Sequence, residues 1–252
     1  MGVVIGVIVG IILAALSYFL VMFGSGASTT ALITAAACAG IGGVYSGIAF
    51  GKKIYGIAPL SLFGYFLDMT WSLLNTTAAL LVWLPVSAAA GGTMKTPDAN
   101  SQRSGAFVFP DNPRGGGYSA TTIGTVIAGG WNSHEETHVW QARLTGPFYL
   151  IVYVVSFLLN VICRAVTGKT NDLVKEAYYR ICFEDWAYWG GGHGSDYSWG
   201  GWVGGMFLTF LFIFLLLLIP IGIITGNILV WVGGIVGAIL YSLIRNLAPR
   251  GH

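Results

Sequence analysis

Charged side chains are scarce in this chain of 252 residues. Lys and Arg together number 12, and Asp and Glu number 10, so charged residues make up 9% of the sequence, whereas an average soluble domain contains about 25%. Hydrophobic residues make up 55%. This composition excludes an ordinary soluble domain and predicts a polytopic membrane protein. The net charge of +2 comes from scattered basic residues, so no nucleic acid is expected as a partner.

Cysteine is equally scarce. Cys38, Cys163 and Cys182 lie in or beside apolar segments and show no C-x-x-C spacing. Neither a disulfide framework nor a cysteine zinc site is therefore indicated.

Long apolar runs are abundant, and each is long enough to cross a hydrocarbon core of about 30 Å. They predict a mainly α polytopic protein with about six spans, integral to the cell (inner) membrane and surrounded by the lipid bilayer. The positive-inside rule favours cytoplasmic termini. The predicted spans are Gly2 to Phe23, Ala31 to Phe50, Ile57 to Ala90, Phe148 to Val166, Gly201 to Ile224 and Ile228 to Ile244.

The sequence divides into four regions by composition. Residues 1–90 hold the N-terminal membrane helices, 91–133 form a polar insert, 134–200 carry the candidate metal site, and 201–252 hold the C-terminal membrane helices. The insert is rich in Gly and Pro, and Ser104 to Phe109 and Thr121 to Ala128 read as two short strands around a turn. These strands predict a small β-hairpin; the alternative is an ordinary connecting loop.

One acid lies inside a predicted span. Asp68 interrupts the run from Ile57 to Ala90, and an acid within a membrane helix usually faces the protein interior or a water-filled cavity. Asp68 is therefore a candidate site residue. The alternative is a structural hydrogen bond to a neighbouring helix or to the Trp71 indole.

The chemical signal lies in the stretch Ser133-His134-Glu135-Glu136-Thr137-His138, which contains the H-E-x-x-H pattern. On a helix, His134 and His138 at i and i+4 share one face, where they can hold a zinc ion while Glu135 polarises a water. The chain has only four His and four Glu, so about 0.001 chance occurrences are expected. Ser133 and Glu136 have the spacing of a capping box.

A catalytic zinc needs a third protein ligand, and two histidines with one glutamate form a standard set. Glu184 is the best available residue, because it opens an E-x-x-A pattern that ends at Ala187. Two alternatives are open for Glu184: a solvated acid on an amphipathic interfacial helix, or a partner of Arg180 four residues earlier.

The two patterns together resemble the gluzincin metallopeptidases, and the membrane setting is similar to that of the integral-membrane members that cleave substrates at or within the bilayer. The resemblance covers about 60 residues. It implies zinc bound by His134, His138 and Glu184, with Glu135 activating water for attack on a peptide carbonyl. Such families also use a tyrosine or histidine to stabilise the oxyanion, but no fixed motif position selects among Tyr178, Tyr179, Tyr188 and His193.

The resulting prediction is a membrane-embedded zinc metallopeptidase acting on a peptide or membrane-protein substrate near the membrane interface. The alternative is a non-catalytic accessory subunit of a larger membrane complex, in which the histidine pair is structural or vestigial. A transporter is a third, weaker hypothesis that rests on Asp68. The topology sets a condition on the zinc site. If Phe148 to Val166 crosses the membrane fully, His138 and Glu184 start from opposite membrane faces and can meet only if the Asp172 to Trp189 helix folds back into the membrane.

Overall fold

The computed structural model describes residues 2–25, 28–90, 93–95, 102, 104–110, 120–191 and 198–248. The chain forms two compact units. One comprises Met1–Trp131 with Val139–Pro147, and the other Asn132–His138 with Phe148–His252.

The described chain is mainly helical, with one small sheet. The first unit contains α1 (Gly2–Ser25), α2 (Thr29–Gly51), α3 (Pro59–Met69), α4 (Leu73–Ala78), a π-helical turn (Ala79–Trp83), α5 (Leu84–Ala89), β1 (Phe107–Phe109), β2 (Ala120–Ile123) and β3 (Val126–Gly129). Next comes α6 (Ser133–Thr145), whose two halves belong to different units, followed by a 3₁₀ turn (Gly146–Phe148). The remaining helices, all in the second unit, are α7 (Tyr149–Val166), α8 (Leu173–Tyr178), α9 (Cys182–Gly190), α10 (Trp199–Ile224) and α11 (Ile228–Leu247).

Five helical stretches in the described part of the chain are long and apolar enough to cross a membrane, and a bent helix pair would make a sixth. These helices identify a membrane protein, and the predicted polytopic helical fold with about six spans is confirmed. The five stretches are Gly2–Phe19, Thr29–Gly51, Ser133–Val166, Trp199–Ile224 and Ile228–Leu247, and the bent pair is Pro59–Met69 with Leu73–Ala89.

Glycines allow α1 and α2 to pack closely. A Cβ atom on Gly6 would lie 2.5 Å from the backbone oxygen of Gly43, a distance that no side chain can occupy. Close approach through small residues is the usual way for helices to associate in a membrane, because apolar side chains gain nothing by moving from lipid to a helix interface.

The third predicted span is broken. Instead of one helix from Ile57 to Ala90, α3 and the following helix meet at an angle of 83° near Thr70. The polar side chains of this segment bond to backbone groups of the same unit: the Asn75 amide donates to the carbonyls of Ala142 and Gly146 at 3.1 and 2.7 Å. These bonds pair the donor end of the buried Asn75 amide.

The sheet differs in detail from the predicted hairpin. The predicted second strand, Thr121 to Ala128, is itself a hairpin, with β2 antiparallel to β3 around Gly124, whose φ of +54° suits the tight turn. The predicted first strand is reduced to β1, which pairs with β3 in parallel, so pairing it with Thr121 to Ala128 as a hairpin was wrong. Most of the predicted turn between them lies outside the described residues.

In the second unit, α7 is amphipathic in the sense expected of a helix facing lipid. Its buried face carries the polar Ser156 and Asn160, while Ile151, Val154 and Leu158 are exposed. Polar groups inside and apolar groups outside are the reverse of a soluble helix.

Candidate metal centre

The start of α6 is fixed by Asn132 and Ser133. The Asn132 side chain accepts a hydrogen bond from the Glu135 N–H at 2.8 Å, which makes Asn132 the N-cap. The predicted capping box with Ser133 as the cap was wrong, because the Glu136 N–H donates to the Asn132 carbonyl at 3.0 Å. The Ser133 hydroxyl donates to the backbone oxygen of Gly191. Ser133 thus joins the first turn of α6 to the end of α9.

The two histidines of the motif face a common point. Their spacing of four residues on α6 places His134 Nε2 and His138 Nε2 3.2 Å apart. Both residues are buried, with exposed fractions of 7% and 5%. The expected geometry of the H-E-x-x-H pattern is therefore present.

Glu184 completes the group. Its Oε2 lies 3.4 Å from His134 Nε2, and its Oε1 lies 3.5 Å from His138 Nε2. Each imidazole therefore faces a different oxygen of one carboxylate. The three side chains are buried and close enough together to hold a metal ion.

Glu184 reaches the histidines because α8 and α9 return along α7 in the opposite direction. Three contacts record the register: Asn160 with Ala177, Ser156 with Cys182, and Tyr153 with Glu184. From the first contact to the third, the residue number falls along α7 and rises along α8 and α9, so the two segments are antiparallel. The segment from Asp172 to Trp189 therefore folds back along α7.

The Glu184 carboxylate is 1% exposed. Burial alone would raise its pKa, but the facing imidazoles of His138 and His134 outweigh burial and hold the pKa well below its usual value. Arg180, the alternative partner, instead donates to the backbone oxygens of Arg245 and Ala248. The reading of Glu184 as a solvated or arginine-paired acid is therefore wrong.

Glu135 is buried directly beside the histidine pair, with an exposed fraction of 5%. The Tyr178 phenol has a raised pKa, mainly because it is buried and close to Glu184, with a smaller contribution from the charge of Glu135. Glu135 is thus a second buried acid in the same helical turn as His134 and His138.

Asp68 is not part of this cluster. Its carboxylate accepts hydrogen bonds from Arg143 at 2.7–3.0 Å and from the Tyr55 hydroxyl at 2.6 Å. Trp71 donates to the Leu144 carbonyl at 3.1 Å instead. Of the two readings of Asp68, the structural bond to a neighbouring helix fits, with Arg143 rather than Trp71 as the donor.

Several tyrosines of the site were missed or left unassigned by sequence reasoning. The Tyr153 hydroxyl donates to Glu184 Oε1 at 2.9 Å, and the Tyr188 ring lies 4.4 Å from the His134 ring, centre to centre. The one available signal for Tyr153 was a phenol within an apolar run. His193 lies outside the described residues.

Compared with protein-family models, with curated proteins and with solved structures, the chain has no significant match.

Proposed function

We propose that the protein is a membrane-embedded zinc metallopeptidase that hydrolyses peptide bonds at or near the membrane interface of the cell (inner) membrane. The observation that carries the proposal is the convergence of Glu184 on both histidines of the motif across 46 residues of sequence from His138. The substrate class is a peptide or a membrane protein.

The donor set and its spacing support zinc. Ligand atoms about 2.0–2.2 Å from a tetrahedral zinc lie about 3.3–3.6 Å from one another. The two imidazole nitrogens lie 3.2 Å apart, and each lies 3.4–3.5 Å from one oxygen of the Glu184 carboxylate. With one ligand atom from each residue, the three atoms lie within 4.8 Å of one another, so a small adjustment of the carboxylate would bring the group to zinc spacing. Two histidines and one glutamate also form one of the usual catalytic sets, which leaves a fourth position open.

Burial supports a cation for a second reason. The Oε2 atom of Glu184 is buried, and its 3.4 Å contact with His134 Nε2 does not meet the geometry of a hydrogen bond. A buried carboxylate with an unsatisfied oxygen is costly unless a cation or a donor compensates. A metal ion between the imidazoles would supply that compensation.

Zinc bound here would polarise a peptide carbonyl and lower the pKa of a coordinated water. In this proposal Glu135 would accept the proton of the attacking water and transfer it to the leaving nitrogen as the C–N bond breaks. The oxygen of water joins the carbonyl carbon, both of its protons end on the leaving nitrogen, and the products are a carboxylate and an ammonium group. The buried setting strengthens each electrostatic interaction in the site.

The near-complete burial of the donors is the observation that favours the alternative function. His134, His138 and Glu184 are all at most 7% exposed, as is common for a structural ion in a non-catalytic subunit of a membrane complex. Catalysis requires that substrate reaches these residues, whereas a structural ion requires no access.

Glu135→Gln distinguishes the two functions, because the amide keeps the shape of the side chain but cannot accept the proton. We expect zinc content to be unchanged and the rate of peptide hydrolysis to fall about 10²- to 10⁴-fold. Glu176→Gln is the matched control, since Glu176 lies 3.7 Å from Arg164 and is not one of the site residues. Equal hydrolysis by the wild type and Glu135→Gln would contradict the assignment of the base, and zinc without any hydrolysis in the wild type would favour the accessory subunit.

A further inference from the structure

The Glu184 carboxylate has a second set of neighbours besides the histidines. The Tyr153 hydroxyl donates to Oε1 at 2.9 Å, and this is the oxygen that faces His138 at 3.5 Å. The Tyr178 phenol is also within hydrogen-bonding reach of the carboxylate and of Tyr153. The carboxylate therefore lies between two imidazoles and a pair of phenols.

Tyr153 is held in place by the same packing that brings Glu184 to the site. The Cys182 N–H, two residues before Glu184, donates to the Ser156 hydroxyl on α7 at 3.1 Å. The rings of Tyr153 and Phe183 are nearly parallel, with 15° between their planes and 6.3 Å between their centres. The hydroxyl donor and the carboxylate acceptor are therefore held together by contacts that do not involve the histidines.

A hydrogen bond to a ligating carboxylate orients it and limits the ways in which it can rotate away from the ion. Mutation of such outer partners of metal ligands typically lowers metal affinity about 10- to 100-fold. We propose that Tyr153, assisted by Tyr178, is a positioning residue that orients the Glu184 carboxylate toward the metal held by His134 and His138. The inference rests on the proposed metal site.

Tyr153→Phe tests this role, because it removes the hydroxyl and keeps the ring that packs on Phe183. We expect the dissociation constant for zinc, measured by competition with a chelator, to rise about 10- to 100-fold. The matched control is Tyr149→Phe, one helical turn earlier and also packed on Phe183 at 4.7 Å. It should raise the dissociation constant for zinc far less than Tyr153→Phe does, because the hydrogen bond to Glu184 comes from Tyr153 and is kept in this variant.

A spectroscopic readout separates orientation of the ligand from a loss of structure. With cobalt in place of zinc, the visible absorption reports on the ligand geometry, and we expect the bands to shift in Tyr153→Phe but not in Tyr149→Phe. Tyr178→Phe should raise the dissociation constant for zinc less than Tyr153→Phe does. In the double variant the loss of zinc affinity should be smaller than the sum of the two separate losses, because both phenols act on one carboxylate.

The possible results distinguish this inference from the function on which it rests. Tight zinc binding that is equal in the wild type and in Tyr153→Phe, with identical cobalt spectra, would overturn the positioning role and leave the zinc site intact. A wild-type protein that binds no zinc would overturn both. Equal losses in Tyr153→Phe and Tyr149→Phe would show a packing effect and would also overturn the positioning role.

Discussion

Asp68 and Arg143 form an ion pair whose two side chains are each 1% exposed. The Tyr55 hydroxyl and the Ser104 carbonyl complete the hydrogen bonding of the two groups. Breaking a buried pair of this kind leaves a charge without its partner, which is much more costly than replacing both members by apolar residues.

We therefore expect Arg143→Met to lower the free energy of unfolding by about 3–5 kcal/mol. The double variant Asp68→Leu with Arg143→Met should recover a large part of that loss, because no charge is left buried. Thermal or denaturant unfolding of the purified proteins measures both effects. A double variant less stable than Arg143→Met would contradict the reading of Asp68 as a structural partner.

Gly191 is the residue that allows the end of α9 to contact the start of α6. A Cβ atom there would lie 2.5 Å from the backbone nitrogen of His134 and equally close to the carbonyl carbon of Ser133. Backbone atoms cannot move aside as a flexible side chain would, so the first turn of α6 would have to shift.

Gly191→Ala should accordingly destabilise the protein by about 1–3 kcal/mol and weaken zinc binding, because the shifted turn carries His134. Gly200→Ala is the control, since no atom lies within 4 Å of its added Cβ. Unfolding and chelator competition provide the two measurements. If Gly191→Ala and Gly200→Ala behave alike in both, the contact does not position the histidine.

At the scale of helices, the pairing of α1 and α2 depends on the absence of side chains along their contact. Gly6→Ala places a methyl group 2.5 Å from the Gly43 oxygen, whereas Gly40→Ala on α2 meets no atom within 4 Å. We expect Gly6→Ala to cost about 1–3 kcal/mol through overpacking, and Gly40→Ala to have little effect. Comparable melting temperatures for the two variants would show that α1 and α2 do not need this close contact.

The helices also show which features could be read from the sequence. The spacing of His134 and His138 is local, so their common face could be predicted from the helical repeat alone. The bend near Thr70 could not, although the polar residues around it were visible, because their partners Ala142 and Gly146 lie about 70 residues away. The turn at Gly124 was not predicted either, because the sequence from Thr121 to Ala128 has the pattern of a single strand.

At the scale of the whole molecule, the number of spans followed from composition and length, since each apolar run carries its own signal. The pairing of Asp68 with Arg143, 75 residues apart, carries no such signal. The same holds for the bond from Tyr153 to Glu184, because a phenol in an apolar helix reads as packing. Non-local polar contacts of this kind depend on how the helices return, which periodicity does not encode.

The central claim is that His134, His138 and Glu184 together hold one zinc ion. Metal analysis of the purified protein after dialysis tests it most directly. The account predicts one zinc per chain in the wild type and in Glu176→Ala, whose side chain is paired with Arg164, and a loss of zinc in His134→Ala, His138→Ala and Glu184→Ala. A wild type without zinc, or undiminished zinc in the histidine and Glu184 variants, would contradict it.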